Sequence, residues 1–423
     1  MPLLRKRPKT GFFNFIKSPT HPIDHVLLIA VFSLLIFSLI MITSIGVPKS
    51  IQLTGSGIDY PNCGSDGVDC YLVLKNHAMR IAVGVLVFVA LLKVHYQFWR
   101  KISTLFFMFA FSLLVAVLMF GHDYNTFAKS WLSLPHIPML QSIQPTEIAK
   151  LALIFYFAHW FDRKEREGEI KDFSKGFIAF CIVSGIVMVP VVLQPDLGSA
   201  MVIAVIAAGM YFIAGANWRH IVLGVTITCV FSLGAIASID RLHDRFSAYF
   251  SPDEKECAES YCWQSEQAKI AVGSGGVWGR GLTQGIQKSY WLPQASDDFI
   301  FAASAEEIGF IRTILVVLAY CIILYRGLRI AEEAPDNFSK FTAAGITIWI
   351  TFQAFINIAV NIAILPVTGI TLPFVSYGGS SMVMSLVGAA VLLNISQYTN
   401  ARASHPVKWR GHGGSRFAAY RRT

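Results

Sequence analysis

Ten apolar runs, each 15 to 25 residues long, follow one another along almost the whole chain. A helix needs roughly 17–25 residues to cross the hydrocarbon core of a bilayer, so the shorter runs must extend into their polar flanks. The sequence therefore predicts an all-α polytopic membrane protein with ten transmembrane helices. The predicted spans are Asp24–Gly46, Ala78–Leu92, Ser103–Phe120, Glu147–Phe161, Gly176–Leu193, Gly198–Ala214, Ile221–Ile239, Gly309–Tyr325, Phe341–Leu365 and Ser381–Ile395.

The composition agrees with a membrane protein. Hydrophobic residues make up 54% of the 423 positions and charged residues 14%, with a mean hydropathy of +0.54; soluble domains are about 25% charged. The formal net charge of +9 could by itself indicate nucleic-acid binding. The basic residues, however, gather at both chain ends and in alternate short loops. This pattern argues against nucleic acid and for contact with anionic lipid headgroups.

The positive-inside rule places both termini in the cytoplasm, on the inner face of the cytoplasmic membrane. The tails 1–23 and 397–423 carry many basic residues, and they flank a membrane domain at 24–396. Other basic groups recur in the loops assigned to the same side: Lys93, Arg100, Lys101, Arg163, Lys164, Arg166, Arg219, Arg326 and Arg329. The long segment 240–308, with eleven acids against six bases, is then an external loop between spans 7 and 8. Loops of this length in compact proteins are functional or disordered, and its apolar and aromatic content favours function.

The seven cysteines fall into two groups. Cys181, Cys229 and Cys321 lie in apolar runs, where a thiol behaves as a small hydrophobic group. Cys63 and Cys70 share one predicted external segment, and Cys257 and Cys262 share the other. Disulfides and four free thiols both remain compatible with the sequence on that side, whereas the spacing disfavours a zinc site.

Ionisable residues at membrane depth cost roughly 2.5–3.5 kcal/mol each and therefore indicate function or a partner. Glu147 and Lys150, three residues apart at the start of the fourth span, share one helix face. They form either an intrahelical ion pair, with Thr146 as the helix cap, or a polar wall facing a charged substrate. We favour the polar wall, because an external helix end has simpler ways to begin.

Two further polar segments favour a structural role. Pro195 and Gly198 suit a tight turn between spans 5 and 6, with Asp196 capping the following helix. Gln353, Asn357 and Asn361 recur every four residues in the ninth span, and such amides commonly bond to neighbouring helices.

The chain after this polar stripe is interrupted between Pro366 and Ser381 by proline, glycine and serine. Irregular backbone at membrane depth is tolerated when it is buried in protein or lines a cavity. We predict a cavity near the outer face that is lined by Ser376, Gly378 and Gly379.

The external loop ends in a candidate catalytic segment, Trp291–Ala302, in which Asp297 and Asp298 meet an apolar aromatic run. A carboxylate at the edge of a partly desolvated cleft has a raised pKa, which suits general acid–base catalysis. Asp298 fits this role better than Asp297, since it directly precedes Phe299. The earlier stretch Gly273–Gly281 lacks the ending of a P-loop and is predicted to be a tight, packed loop whose Arg280 could meet a phosphate.

In this order, the segments resemble the SEDS (shape, elongation, division, sporulation) family, which includes FtsW and RodA. The resemblance covers essentially the whole chain. It rests on Gln144–Lys150, Gln194–Gly198, Gly273–Gly281, Leu292–Ala302, Pro366–Gly369 and Ser376–Ser381, together with Asn125 and Lys129-Ser130-Trp131. The segment Leu292–Ala302 departs from the family's Leu-Pro-Glu-x-His-Thr-Asp-Phe pattern, with Gln294 for Glu, Ser296 for His and Asp297 for Thr. The loop spacing from Gly281 to Ala295 is more similar to FtsW than to RodA.

The resemblance implies a peptidoglycan glycosyltransferase that joins lipid II units by inverting transfer and releases undecaprenyl diphosphate. The family's essential acid falls on Asp298. Inverting transfer needs a base, and the leaving diphosphate needs cations, either basic side chains or a divalent ion such as Mg²⁺ or Mn²⁺. The candidate substrate-binding residues are Glu147, Lys150, Lys129, Arg80, Arg280, Ser376, Gly378 and Gly379, and Asp298 is a candidate metal ligand. The implied partners are lipid II, the nascent glycan strand, membrane lipids, a class B penicillin-binding transpeptidase and other divisome proteins at the septum.

Three alternatives stay open at this stage. A lipid II flippase would also use a polar cavity between helices, although it has little need for one outer-face carboxylate. A RodA-like polymerase would act in elongation rather than in division. The altered Leu292–Ala302 segment also leaves room for a catalytically inactive scaffold that binds divisome proteins.

Overall fold

The computed structural model describes residues 21–56, 61–121, 130–133, 142–250 and 261–399. Within them the regular secondary structure is helical apart from one two-stranded antiparallel pair, Leu132–Ser133 (β1) with Ser142–Ile143 (β2). The helices are α1 His25–Thr54, α2 Leu72–Leu92, α3 Gln97–Phe120, α4 Pro145–Glu167, α5 Ala179–Leu193 preceded by a π-helical turn Phe173–Ile178, α6 Leu197–Ile213, α7 Trp218–Ser238, α8 Asp240–Phe250, α9 Tyr261–Gly275, α10 Ile300–Glu332, α11 Asn337–Asn361 and α12 Gly379–Ser396.

Each of the ten predicted spans overlaps one helix, so the all-α polytopic class is confirmed. In the described ranges, eight helices are long and apolar enough to cross a membrane: α1, α2, α3, α5 with its π-helical turn, α7, α10, α11 and α12. The apolar helix α6 is shorter, at 17 residues. Helix α4 is 23 residues long but carries charged groups at both ends.

Several helix ends differ from the predicted spans. Helix α1 continues through Pro48 to Thr54, eight residues beyond the predicted end, and α11 ends at Asn361 rather than Leu365. Helix α10 begins at Ile300 and is kinked at Gly309, which has φ 77° and ψ 175°. Hydropathy missed the extension of α1 because it does not register hydrogen bonds between distant residues: Val73 N donates to Ser50 Oγ at 3.0 Å, and Asp69 N donates to Thr54 Oγ1 at 3.1 Å.

The predicted caps are partly corrected. Asp196 caps α6 as expected, since its Oδ1 accepts a 3.0 Å hydrogen bond from Ser199 N. Thr146 does not cap α4. Gln144 occupies the N-cap position, Pro145 lies in the first turn, and Thr146 is fully buried. Proline suits this place because a first-turn N–H has no intrahelical partner.

Helices α4, α11 and α12 form the centre of the molecule. Within the most apolar 18 residues of each helix, 83% of the residues are buried in α11 and 78% in α12. In α7 the same stretch has no buried residue. Glycines allow the close approaches: a Cβ on Gly345 would lie 2.7 Å from Met210 Sδ and 2.8 Å from Ile154 Cγ2. Small residues at such crossings are the usual means by which membrane helices pack.

The glycine-rich stretch Gly273–Gly281 packs against the kink of α10, as predicted for a tight loop. Arg280 N donates to Glu306 O (3.0 Å), and Phe310 N donates to Gly276 O (2.9 Å). A Cβ on Gly279 would lie 2.3 Å from Glu307 O, so only glycine permits this backbone contact. The glycines therefore hold two backbone segments together.

Two of the cysteines left open by the sequence form a disulfide, Cys63–Cys70, in the α1–α2 connection. Cys262 is also disulfide-bonded, and Cys257 lies outside the described residues. Hydrogen bonds connect the disulfide loop to the helices on either side. Asp69 N donates to Thr54 Oγ1 of α1 (3.1 Å), and Lys75 Nζ of α2 donates to Asp69 Oδ2 (2.7 Å). The bond from Lys75 lowers the pKa of Asp69. Cys181, Cys229 and Cys321 are free thiols on α5, α7 and α10.

Candidate functional site

Asp298 lies immediately before α10 and is held there through its backbone. Asn357 and Asn361 each donate from Nδ2 to Asp298 O, at 2.8 Å in both cases. Asn361 Oδ1 accepts a 2.8 Å bond from Ala302 N, so the same side chain also fixes the first turn of α10. Phe299 is fully buried, while Asp298 itself is partly accessible. The arrangement anchors the backbone and leaves the carboxylate at the edge of the apolar core.

The amide stripe of α11 explains this geometry. Residues four apart lie one above the other on a helix, so the two asparagines present adjacent amides to the same loop. Asn357 Nδ2 also donates to Ile370 O at 2.8 Å. The stripe therefore joins the Asp298 loop to the broken segment after α11, and the predicted bonding of these amides to neighbouring elements is confirmed.

Asp297 has a separate partner. Its carboxylate accepts a 2.5 Å bond from Lys49 Nζ, which also lies 3.4 Å from Gln294 Oε1. Sequence reasoning missed Lys49 because the first span was drawn only to Gly46. A single lysine directly after an apolar run is a signal that could have found it, since a cation there needs a partner or the interface.

Arg80 and Lys49 both contact the ring of Tyr377. Arg80 Cζ is 4.6 Å from the ring centroid of Tyr377, and Lys49 Nζ is 5.2 Å from it, both within cation–π range. Tyr377 N donates to Ser296 O at 2.9 Å, which joins the broken segment to the Asp298 loop. The structure thus brings predicted Arg80 next to the predicted catalytic loop, with Tyr377 as an unpredicted bridge.

The predicted glycines lie beside these groups. A Cβ on Gly379 would lie 3.3 Å from Arg80 Nε, so glycine lets the guanidinium approach the start of α12. A Cβ on Gly378 would lie 3.0 Å from Thr371 Cγ2. Ser376 is buried and its Oγ accepts a 2.8 Å bond from Leu372 N, so this side chain stabilises the turn.

Glu147 and Lys150 form a buried ion pair. Lys150 Nζ lies 2.7 Å from Glu147 Oε1, and the two side chains are only 5% and 1% exposed for Glu147 and Lys150, respectively. Lys150 also donates to Gln353 Oε1 at 2.7 Å and lies 5.5 Å from the ring of Trp349. Glu147 Oε2 is buried with no hydrogen-bond partner among the described residues. Both charged groups are therefore buried in the protein, whereas an ordinary ion pair at a helix end is exposed to solvent.

Gln353 connects this pair to the broken segment. Its Nε2 donates to Thr371 O at 3.0 Å, and Thr371 Oγ1 lies 2.7 Å from Ser381 Oγ. Gln144 N donates to Ser380 Oγ at 3.2 Å, so the start of α4 reaches the same turn. One continuous polar network therefore runs from Lys150 to the turn that carries Gly378 and Gly379.

Arg280 contacts groups outside this network. Arg280 Nε is 3.7 Å from Glu306 Oε1, and its side chain is 37% exposed. Lys129 lies outside the described residues. Arg280 lies on the neighbouring glycine loop, and binding of a phosphate group by Arg80, Lys150, Arg280 and Lys129 stays a prediction.

Two buried glutamates organise the loop before Asp298, and sequence reasoning gave them no role. Glu306 accepts bonds from Ile286 N and Gln287 N, both at 3.0 Å. Glu307 Oε1 pairs with Lys288 Nζ at 2.5 Å and accepts from Ser44 Oγ at 2.6 Å. The sequence signal that could have indicated a role was two adjacent acids, Glu306 and Glu307, within an apolar run. They fix the loop from both faces of α10.

In the described part of the chain, no group of three or more His, Cys, Asp or Glu side chains is arranged to hold a metal ion. A hard cation such as Mg²⁺ is commonly held by one or two carboxylates together with substrate phosphates. Asp298 can supply one such oxygen ligand. The donor set present fits a cation shared with a bound phosphate group, and does not form an all-protein site.

The local chemistry combines the partly accessible residue Asp298 with two cations, Arg80 and Lys49, that contact the ring of Tyr377. A carboxylate at an apolar edge can accept a proton. Guanidinium and ammonium groups in a site with little water stabilise negative charge that develops on a leaving group. Groups of these two kinds are used by enzymes that transfer a group and release an anion.

Curated relatives cover most of the chain. Over 333 residues it is 38% identical to "Stage V sporulation protein E" of Bacillus subtilis (strain 168), covering 78% of this chain and 88% of that protein. Over 402 residues it is 34% identical to "Probable peptidoglycan glycosyltransferase FtsW" of Hydrogenovibrio crunogenus (strain DSM 25203 / XCL-2), covering 94% and 97%, respectively.

Solved structures share the fold. A chain from "Structural coordination of polymerization and crosslinking by a peptidoglycan synthase complex" superposes with a TM-score of 0.69 at 20% identity, covering 89% of this chain and 98% of that one. The rod shape determining protein RodA of Thermus thermophilus gives a TM-score of 0.61 at 20% identity, with coverages of 89% and 97%. At this identity the likeness concerns the fold.

The family model that matches the chain is described as "Cell cycle protein" and spans residues 25–401. That match includes the Asp298 loop, the α4 ion pair and the broken segment described above. Together with relatives above 30% identity over most of their length, it confirms the resemblance seen in the motifs. The chain belongs to the FtsW/RodA/SpoVE family of cell cycle proteins, the SEDS family, and FtsW is the prevailing name among its relatives.

Proposed function

We propose that this protein is a peptidoglycan glycosyltransferase that polymerises lipid II into glycan strands at the outer face of the cytoplasmic membrane, for septal wall synthesis in division. The names of its relatives support the activity, and the predominance of FtsW among them favours division over elongation. The single observation that carries the proposal is the anchoring of the Asp298 backbone by Asn357 and Asn361, which fixes this acidic residue immediately before α10.

In the proposed mechanism, Asp298 accepts the proton of the acceptor's 4-hydroxyl. That oxygen attacks the anomeric carbon of the donor, and the carbon–oxygen bond to undecaprenyl diphosphate breaks on the opposite face, which inverts the configuration. The leaving group departs as a diphosphate anion, so it needs positive charge more than a general acid. The Asn anchors limit the motion of the base, which is how positioning groups lower a barrier.

The proposed diphosphate-binding residues are Arg80, Lys150, Lys129 and Arg280, with Glu147 orienting Lys150. Among them, Arg80 contacts the ring of Tyr377, whose backbone N–H bonds to Ser296 O in the Asp298 loop. We propose Lys49 as a further member of the set, supported by the position of its ammonium against the same ring. Ser376, Gly378 and Gly379 are proposed to shape the turn that receives the substrate. A divalent cation, where bound, would be held by Asp298 and diphosphate oxygens and would add Lewis-acid stabilisation of the leaving group.

The proposed topology has ten spans, with α4 and α6 added to the eight helices identified by length and composition. Both basic tails, 1–23 and 397–423, are cytoplasmic, the membrane domain is 24–396, and the external loop is 240–308. The disulfide at Cys63–Cys70 supports the external assignment of its loop, because disulfides persist in oxidising compartments.

The proposed partners are a class B penicillin-binding transpeptidase and other divisome proteins. One solved relative comes from a complex that couples polymerisation and crosslinking.

A lipid II flippase is the second candidate, since the buried Glu147–Lys150 pair is the kind of intramembrane charge found in transport pathways. The deciding experiment supplies purified lipid II to the purified protein, alone and with its transpeptidase. Glycan chains that depend on Asp298 support the polymerase. Movement of lipid II across a vesicle membrane without any glycan would overturn it.

A further inference from the structure

A basic cavity lies at the end of α4 opposite the candidate site. It encloses about 370 Å³ and is lined by Arg100, His159, Asp162, Arg163, Arg166 and Glu167. Glu147 and Asp162 are 15 residues apart on one helix, so the cavity is about 22 Å from the buried ion pair along the helix axis. It therefore cannot serve the same bound group as Asp298.

The cavity is built around one buried carboxylate. Asp162 is 3% exposed and its Oδ2 accepts from Arg100 Nη2 at 2.5 Å. Arg166 binds the same carboxylate through Nε, 3.2 Å from Oδ1, and through Nη2. The acid thereby fixes two guanidinium groups from α3 and α4. Each guanidinium has five N–H donors, so both keep donors beyond those used on Asp162.

The remaining lining adds donors and charge. Arg163 is 3.9 Å from Glu167, a loose surface pair, and the Arg163 side chain is 60% exposed. His159 Nδ1 is buried and has no hydrogen-bond partner among the described residues. Three arginines against two carboxylates leave a net charge of +1 with the histidine neutral. The complement of such a cavity is an anion with several oxygen acceptors, and a phosphate group matches guanidinium donors in geometry and charge.

The neighbouring surface indicates where the phosphate comes from. Arg100 lies in the first turn of α3, and Met108, about two turns further along the same helix, is 64% exposed. Leu105 is 71% exposed on the same helix. An apolar helix surface that runs directly away from a basic pocket suits an acyl chain below a headgroup. Basic pockets between helices on the cytoplasmic side are known sites for anionic lipid headgroups.

We propose that the cavity between α3 and α4 binds the phosphodiester headgroup of an anionic phospholipid from the inner leaflet. The proposal uses the cytoplasmic placement of this end of α4 and is otherwise independent of the enzymatic activity. Arg100 and Arg166 contact the phosphate oxygens, His159 Nδ1 meets a headgroup oxygen or hydroxyl, and the acyl chains follow the exposed side of α3. Soluble phosphate shares the chemistry but would gain nothing from the apolar surface.

The test titrates delipidated full-length protein in detergent with short-chain phosphatidylglycerol and counts bound lipid by native mass spectrometry. Phosphatidylcholine and inorganic phosphate are the two comparison ligands. Arg166→Gln leaves Asp162 paired with Arg100, and we expect it to weaken phosphatidylglycerol binding by about tenfold, as loss of one charge-assisted hydrogen bond does. The matched control is Arg329→Gln, which breaks another i,i+4 pair, with Glu333, at the same end of the molecule.

Saturable binding of one phosphatidylglycerol by the wild type and Arg329→Gln, reduced in Arg166→Gln, supports the proposal. Equal binding by all three proteins overturns it. Equal retention of phosphatidylcholine, or occupancy by inorganic phosphate that excludes phosphatidylglycerol, overturns the lipid assignment. Arg166→Lys keeps the charge and guards against a folding artefact: it should bind phosphatidylglycerol more tightly than Arg166→Gln and less tightly than the wild type, because the charge remains and the guanidinium geometry is lost. Because binding is measured without substrate, failure here leaves the glycosyltransferase proposal untouched.

Discussion

Asn361 ties the last turn of α11 to the loop that carries Asp298: its Nδ2 donates a 2.8 Å hydrogen bond to Asp298 O, across 63 residues of sequence. Asn361 is fully buried, and its Oδ1 holds Ala302 N at the start of α10. A single side chain thus sets both the carbonyl before the helix and the first turn of the helix. The position of the proposed base depends on this contact more than on any local turn.

Asp298→Asn should abolish glycan synthesis while the protein remains folded and inserted. Loss of a general base typically lowers the rate by about 10²–10⁴. Asp297→Asn is the matched control, because it changes the same charge one residue earlier. It breaks a partly exposed pair with Lys49, which is worth at most about 1 kcal/mol. Polymerisation of purified lipid II measures both. Full activity in Asp298→Asn, or equal losses in the two variants, would refute the assignment.

Asn361→Ala should lower polymerase activity by about 10²-fold, because a small misplacement of a catalytic group has effects of that size. Its loss of stability should be about 1–3 kcal/mol, as for other buried polar groups left unpaired. Asn394→Ala is the control. Asn394 is equally buried and donates to Leu92 O at 2.8 Å, but it ties α12 to α2. We expect the two variants to lose similar stability, and only Asn361→Ala to lose activity. Parallel activity losses would indicate a general packing effect instead.

Lys150→Met should destabilise the protein by about 3–5 kcal/mol, because it leaves Glu147 charged and unpaired in the core. The double variant Glu147→Gln/Lys150→Met removes both charges and should recover most of the thermal stability. If Lys150 contributes to diphosphate binding, polymerisation stays impaired in the double variant. Thermal midpoints and lipid II turnover separate the two effects. Recovery of both stability and activity would make the pair purely structural.

Gly279→Ala should destabilise the loop, since Gly279 has φ 85° and a Cβ there would lie 2.3 Å from Glu307 O. The positive φ alone costs an alanine about 1–2 kcal/mol. Gly273→Ala lies in α9 with open space around it, and should be neutral or stabilising by about 0.5–1 kcal/mol. Thermal unfolding in detergent measures the contrast. Equal stabilities would contradict the close packing of this loop on α10.

Impermeant thiol labelling of intact cells tests the topology together with the disulfide. Cys63 and Cys70 should react only after reduction, because they are bonded to each other on the proposed external side. Cys181, Cys229 and Cys321 should stay unlabelled, since their helices place them at membrane depth. A reporter that works only outside the cell should be silent when fused to the C-terminus. Labelling of Cys63 before reduction, or of Cys321 at any stage, is the contrary outcome.

Much of the architecture was predictable from local sequence. A backbone in hydrocarbon must satisfy its own hydrogen bonds, so each long apolar run has to be a helix. The basic residues that follow alternate runs gave an expected orientation, and Asp298 stood out because a carboxylate directly precedes an apolar aromatic run. The cap by Asp196 and the packed glycine loop were also readable, since each depends on a few consecutive residues.

Tertiary structure decided which distant groups meet. Lys49 and Asp297 are 248 residues apart, and no local pattern pairs them. The extension of α1 past Pro48, which brought Lys49 to the site, depends on neighbouring elements that receive its polar end. The predicted wall of Glu147 and Lys150 became an enclosed pair because Gln353 and Trp349 of α11 cover it. Apolar length determined that each segment would be a helix, because that requirement is met within the segment. Charge pairing and burial were left to the packing of helices, because their energy depends on partners that the chain brings together only when folded.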